Sequence, residues 1–150
     1  MSRNTTFPGS MIWISHITIS CAVAYRFLGV KDPLSLSAIG LGSILPDRIE
    51  TIKNIRILKH RGVSHALWFW SLLAFVWWVY VQKNPSSIYL SYAKFLLEGA
   101  FLHLAEDTLT IVGIPIFPFI SKRFALKLFK TGSRTETFFV IGVASLCLFI

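Results

Sequence analysis

The stretch SHALWFWSLLAFVWWVYVQ, residues 64–82, decides the fold of this chain more directly than any other part of the sequence. It contains no Asp, Glu, Lys or Arg, and about 20 such residues in a helix cross a bilayer core about 30 Å thick. We therefore predict a transmembrane helix here. The whole chain agrees, since 54% of its 150 residues are hydrophobic, the mean hydropathy is +0.63 and only 15% are charged. We expect one integral membrane domain over residues 1–150 rather than a soluble protein.

Other apolar segments flank this stretch on both sides. They cover residues 11–28, 34–46, 89–107 and 137–150. The second and the last of these are short and would need flanking residues or a thinned bilayer to span. A further run at 108–120 is interrupted by Gly113, Pro115 and Pro118, which predicts a re-entrant or interfacial piece. The expected fold class is all-α, a polytopic membrane bundle of about five hydrophobic helices.

The basic residues set the predicted orientation. Ten of the 15 Lys and Arg residues fall in two connectors, 48–61 and 122–134. By the positive-inside rule both connectors are cytoplasmic, and counting spans outward makes the amino terminus cytoplasmic as well. Topology and contact with anionic lipid then account for the net charge of +8, so no nucleic-acid partner is expected. The two cysteines, Cys21 and Cys147, lack paired spacing and are predicted to be packing residues.

Several ionisable residues lie within or beside the apolar segments, where they are costly and usually mark a functional site. The predicted topology brings six of them to the cytoplasmic leaflet: His16, Asp47, His65, His103, Asp107 and Glu136. His103 and Asp107 are four residues apart and share one helix face with Glu106, as paired metal ligands do. A helix-packing pair has the same spacing, and Asp47 after Pro46 also fits a simple helix cap. The convergence on one leaflet favours a metal site.

The motif His60-Arg61-Gly62-Val63-Ser64-His65 adds two imidazoles and a guanidinium just before an apolar helix. We assign metal binding to His16, Asp47, His65, His103 and Asp107. Arg61 can bind a phosphate oxygen bidentately, although a juxtamembrane arginine also serves as a topology signal. His60 and Glu136 are candidates for a general base or for orienting a ligand. Imidazole and carboxylate donors suit a divalent metal, with zinc favoured and manganese as the alternative.

The combined pattern resembles the YdjM-type family of inner-membrane metal-dependent hydrolases. The matching pieces are His16, Leu45-Pro46-Asp47, the motif at 60–65, His103-Leu104-Ala105-Glu106-Asp107, Gly113-Ile114-Pro115 with Pro118, and Thr131-Gly132-Ser133 ahead of Glu136. The resemblance implies a multi-pass protein of the bacterial inner (cytoplasmic) membrane with a hydrolytic activity. The family also carries a second aspartate and a histidine just after Asp47, where this chain has Ile49 and Glu50. Either a ligand is missing or Glu50 replaces it.

The leading functional hypothesis is metal-dependent hydrolysis of a phosphate ester in a lipid or lipid-linked substrate at the cytoplasmic face. The enzyme would then be a phosphoesterase of a phospholipase-like kind, with membrane lipids as partners and homo-oligomerisation left open. A second hypothesis is a non-catalytic membrane protein with a structural metal site or a buried polar network. A third, a small transporter, fits less well because the polar residues gather at one face instead of lining a route across.

Overall fold

The computed structural model of the protein describes residues 13–52, 55–56, 62–117 and 122–149. The α-helices in these ranges are α1 (Trp13–Phe27), α2 (Pro33–Gly42), α3 (Leu45–Glu50), α4 (Leu67–Lys83), α5 (Ile88–Leu109) and α6 (Arg134–Phe149). Two antiparallel strand pairs join β1 (Thr51–Ile52) to β2 (Ile55–Arg56) and β3 (Ile114–Pro115) to β4 (Arg123–Phe124). The prediction of a mostly helical protein is confirmed.

Each predicted apolar segment contains a helix, but the polytopic part of the prediction is not confirmed. No helix within the described ranges is both long enough and apolar enough to cross a membrane. The segment 34–46 also differs from expectation, because α2 ends at Gly42 and α3 starts at Leu45 after a turn. Pro46 has no backbone N–H to donate, so it cannot extend the hydrogen-bond ladder of α2 and instead lies at the start of a new helix.

The first turn of α2 follows a standard capping pattern. The Asp32 carboxylate accepts hydrogen bonds from the Ser35 backbone N at 2.8 Å and from the Ser35 Oγ at 2.7 Å. Pro33 occupies the first helical position, where a missing N–H costs nothing. The sequence Asp-Pro-Leu-Ser therefore fixes where α2 begins, and through it the position of the turn that follows.

α2 and α5 cross at very close range. A Cβ added at Gly42 would overlap the carbonyl oxygen of Leu96, and one added at Gly99 would overlap that of Ile39. Only glycine permits backbones to approach this closely. α5 also packs against α4, while α1 packs against α2 and α6. α5 is thus held between α2 and α4, with α1 also touching it.

The interior is unusual because buried polar side chains are at least as numerous as buried apolar ones among the described residues. The apolar core is split into two small clusters, one around Ile19 and Val140 and one around Trp70 and Leu104. Large apolar side chains instead cover the outside; Ile14, for example, is 72% exposed. Soluble proteins show the reverse distribution. The polar residues therefore form the centre of this fold.

Residues 110–117 of the segment predicted as re-entrant or interfacial are not helical. α5 ends at Leu109, and the chain then forms the β3–β4 hairpin. Gly113 has a φ of +63°, and a Cβ there would overlap the carbonyl oxygen of Phe124. Both constraints require glycine. The break in the apolar run is therefore a bend at residues 111–112 with Gly113 directly after it; Pro118 lies outside the described residues, and the membrane depth of the segment stays a prediction.

Candidate metal centre

Four separate elements deliver the five predicted ligands to one place. His16 comes from α1, Asp47 from α3, and His65 from a 3-10 turn at Val63–His65 that precedes α4, while His103 and Asp107 come from successive turns of α5. All five side chains are buried, and Asp47 is the most exposed of them at 9%. The structure therefore brings together residues that are up to 91 positions apart in the sequence (107 − 16).

The Nε2 atoms of the histidines and the carboxylate oxygens face one another across a few ångströms. The Nε2 of His65 lies 3.1 Å from that of His103 and 3.3 Å from Oδ1 of Asp47. Asp107 bridges the group, with Oδ2 3.5 Å from His65 Nε2 and 3.7 Å from His103 Nε2, and Oδ1 3.9 Å from His16 Nε2. Donors that each lie about 2.1 Å from one first-row ion are about 3.0–3.5 Å apart, so the spacing suits such an ion.

The opposite nitrogen of each imidazole is held by an acceptor. His16 Nδ1 donates to Oε2 of Glu106 at 2.7 Å, and His65 Nδ1 donates to Oε1 of Glu50 at 2.9 Å. His103 Nδ1 donates to the backbone carbonyl of Ser43 at 2.6 Å. Carboxylates and carbonyls only accept, so each Nδ1 carries the proton. The three Nε2 atoms are consequently the ones aimed at the common centre, which is how histidine ligands are oriented in metal sites.

Two atoms of this cluster have no hydrogen-bond partner among the described residues. They are His16 Nε2 and Asp47 Oδ2, both buried. Buried polar atoms are nearly always paired. An unpaired nitrogen and an unpaired oxygen that face the other candidate metal ligands therefore fit coordination to a metal ion. The Nε2 atoms of His65 and His103 also lie only 3.1 Å apart. Their lone pairs repel each other unless a proton or a cation lies between them.

Electrostatics favours positive charge in the cluster. Three carboxylates surround the imidazole of His65: Asp47 Oδ1 lies 3.3 Å from Nε2, Glu50 Oε1 lies 2.9 Å from Nδ1, and Asp107 Oδ2 lies 3.5 Å from Nε2. A divalent cation would neutralise these carboxylates. The donor set, the orphaned atoms and the charge balance therefore fit a divalent metal ion.

Among the residues that the structure describes, three overlapping sets of buried candidate ligands occur in this cluster, each with its atoms within 4.8 Å of one another. They are His16 with Asp47 and His103, His65 with His103 and Asp107, and Asp47 with Glu50 and His65. Each set combines imidazole nitrogen with carboxylate oxygen, and such mixed ligands suit zinc or a neighbouring first-row metal.

A second layer of hydrogen bonds holds the acceptors themselves. Ser20 Oγ donates to Oε1 of Glu106 at 2.8 Å, and Ser64 Oγ donates to Oε1 of Glu50 at 2.6 Å. Trp70 Nε1 donates to the carbonyl oxygen of Ser64 at 2.6 Å. Of the two positions that depart from the family pattern, Glu50 accepts from Nδ1 of His65 and orients it, whereas Ile49 packs against the apolar cluster around Trp70.

The other predicted functional residues are not brought into these ligand sets. Glu136 is buried, but it lies in the first turn of α6, where its Oε2 accepts a hydrogen bond from the backbone N of Gly132 at 2.5 Å. Ser133 Oγ accepts in turn from the backbone N of Glu136 at 3.3 Å. This reciprocal pattern closely resembles a capping box, which the Ser-x-x-Glu spacing predicts. His60 and Arg61 lie outside the described residues.

Some contributors were not assigned from the sequence. Ser20 carried a usable signal, because it follows His16 by four residues and so shares its helix face. The carbonyl of Ser43 carried none, since every residue has a backbone carbonyl and only the tertiary fold selects one. Glu106 shares a helix face with His103 and Asp107 in the sequence, and in the structure it accepts the hydrogen bond from Nδ1 of His16.

Fold and site together define a helical protein built around a buried histidine and carboxylate cluster. The family described as YdjM inner membrane protein matches residues 11–149 of the chain. The chain belongs to this family, which confirms the resemblance. No curated protein and no solved structure matches the chain.

Proposed function

We propose that the protein is a membrane-embedded, metal-dependent hydrolase acting on a phosphate ester of a lipid or lipid-linked substrate at the cytoplasmic face. The convergence of three Nε2 atoms with the carboxylates of Asp47 and Asp107 carries the proposal. The Nδ1 atom of each imidazole is fixed by a hydrogen bond to an acceptor on the far side of the ring. Such preorganisation exceeds what helix packing alone requires.

The residues that would hold the ion are His16, Asp47, His65, His103 and Asp107. A bound divalent cation supplies a Lewis acid for a phosphoryl oxygen and lowers the pKa of a water molecule. Asp47 is the most exposed of the five ligands, so water and substrate would reach the ion from its side. Glu50 and Glu106 keep their histidines in the ligand tautomer. Arg61, next to the site in sequence, is assigned to the phosphate charge.

Membrane placement is supported from two directions. The family is one of inner membrane proteins, and large apolar side chains on α1, α4 and α6 are exposed, including Ile14, Phe75 and Phe138. A multi-pass arrangement with a cytoplasmic amino terminus follows from the distribution of Lys and Arg. It would bring the metal centre beneath the inner headgroups, within reach of lipid phosphates.

One observation favours a second candidate, a structural metal site without catalysis. Four of the five ligand side chains are at most 1% exposed, and a catalytic site must leave room for substrate. In that case the cluster would only join the short helices.

Elemental analysis of gently purified, detergent-solubilised protein is the first test. Wild type should retain stoichiometric metal, and His103→Ala should lose it. Glu98→Gln is the matched control, because Glu98 lies on the same helix but pairs with Lys94 at 3.5 Å. Protein that is well folded but binds no metal would contradict both candidates.

Turnover separates the two candidates. Wild type loaded with zinc or manganese is incubated with mixed phospholipids and with a generic phosphodiester, and the released phosphate products are measured. Hydrolysis that His65→Ala abolishes, while Glu98→Gln retains it, supports the enzyme. Stoichiometric metal without hydrolysis of either substrate supports the structural site.

A further inference from the structure

Residues 122–130 form a basic segment that alternates cations with exposed apolar side chains. Lys122, Lys127 and Lys130 are exposed. Phe124, Leu126 and Leu128 are 49%, 52% and 59% exposed. A stretch that offers both kinds of side chain to the outside is typical of protein that lies at a bilayer interface.

The basic segment is held rigidly against the end of α5. Three backbone hydrogen bonds tie the two together: Leu126 N to Thr108 O at 2.7 Å, Leu128 N to Leu109 O at 2.8 Å, and Ile111 N to Phe129 O at 3.1 Å. Phe129 points inward, is 4% exposed and packs with Ile19 and Val140. Phe129 is thus buried in the core, and the backbone hydrogen bonds fix the orientation in which Leu126 and Leu128 are exposed.

The charge around this surface has one sign. The sequence contains five Lys and Arg residues between Thr108 and Thr135, and no Asp or Glu in the same interval. The exposed face of α4 is different, because Leu72, Phe75 and Trp78 are accompanied by no cation before Lys83. An apolar face alone suits the hydrocarbon core, whereas apolar side chains mixed with lysines suit the anionic headgroup layer.

We propose that the basic segment is a docking surface that selects anionic phospholipid headgroups over zwitterionic ones. The segment is bonded to Thr108 and Leu109, which directly follow Asp107 of the metal centre. Anionic lipids gathered here would be concentrated beside that centre. Exposed leucines argue against nucleic acid, which basic surfaces bind through phosphate contacts and aromatic stacking. The inference rests on the proposed membrane location but not on metal chemistry or turnover.

The test uses variants that respect the backbone. Lys127 has a φ of +57°, a conformation that asparagine tolerates, so the test variant is Lys127→Asn with Lys130→Gln. The matched control is Lys31→Gln with Lys83→Gln, two exposed lysines of other connectors. Full-length protein in uncharged detergent is mixed with equal amounts of phosphatidylglycerol and phosphatidylcholine, and bound lipids are counted by native mass spectrometry.

Wild type should prefer phosphatidylglycerol, and the test variant should lose about fivefold of that preference per lysine, as expected for cations at an anionic surface. The control should keep it. A second measurement needs no variant: raising the ionic strength should reduce the wild-type preference. Equal binding of both lipids by wild type, an equal loss in the control, or displacement of the lipid by a short DNA duplex would each overturn the inference. Bound lipids are weighed intact, so a failure of hydrolysis leaves this result unaffected.

Discussion

α4 and α5 pack against each other but have opposite characters. α4 is 17 residues long and buries only Trp70, while it exposes large apolar side chains such as Phe75 and Trp78. α5 buries six residues, among them His103 and Asp107. The comparison teaches that apolarity and burial are uncoupled in this protein. The helix richest in apolar residues is peripheral, and the helix with ionisable residues supplies the centre.

This difference between α4 and α5 indicates which contacts stabilise the tertiary structure. Where lipid surrounds the protein, exposed apolar groups on α4 cost little, and helix association depends on close packing and interhelical hydrogen bonds. The α2–α5 crossing and the polar cluster provide both. Changes at α5 and its partners should therefore have larger effects than changes on α4, and the predictions below test this ranking from the largest effect to the smallest.

Gly99→Ala should have the largest effect. The new Cβ would overlap the carbonyl oxygen of Ile39 and force α2 away from α5, together with Ser43, which holds His103. We expect a loss of about 3 kcal/mol in unfolding free energy, measured by thermal and denaturant unfolding in detergent. Gly142→Ala on α6 is the control, because open space surrounds that position; it should stabilise by up to about 1 kcal/mol. Equal unfolding midpoints for the two variants would contradict the close crossing.

Glu50→Gln should weaken metal binding by about tenfold to a hundredfold. The amide retains the shape of the side chain but removes the charge that holds Nδ1 of His65. Competition with a chromophoric chelator measures the affinity. Glu98→Gln should bind metal as wild type does, and an unchanged affinity in Glu50→Gln would remove Glu50 from the orienting role.

The smallest effect should come from a matched pair of tryptophans on α4. Trp70→Phe removes the hydrogen bond to the Ser64 carbonyl and should cost about 1 kcal/mol. Trp78 is 52% exposed, so Trp78→Phe should change the unfolding free energy by less than about 0.5 kcal/mol. A larger loss at Trp78 than at Trp70 would reverse the comparison between the inner and outer faces of this helix.

The sequence supported the helices and the gathering of polar residues better than it supported their detailed roles. Apolar runs extend over many residues, so they are easy to recognise in a sequence. The charge of the loops predicts the membrane depth of His16 and His103 without any knowledge of their contacts. Glu136 is a candidate for the site only through its predicted membrane depth, and the local Ser-x-x-Glu pattern offers a second explanation for it. The division between α2 and α3 and the use of the Ser43 carbonyl depend on tertiary packing, which no local pattern encodes.

The order of the ligands along the chain has a consequence for biogenesis. His16 emerges early from the ribosome, yet its acceptor Glu106 and its neighbour Asp107 are made some 90 residues later (106 − 16). A nascent chain that ends before α5 has no His103 and no Asp107 and cannot close the cluster. If the cluster binds an ion as proposed, the ion would be taken up only after α5 has been synthesised.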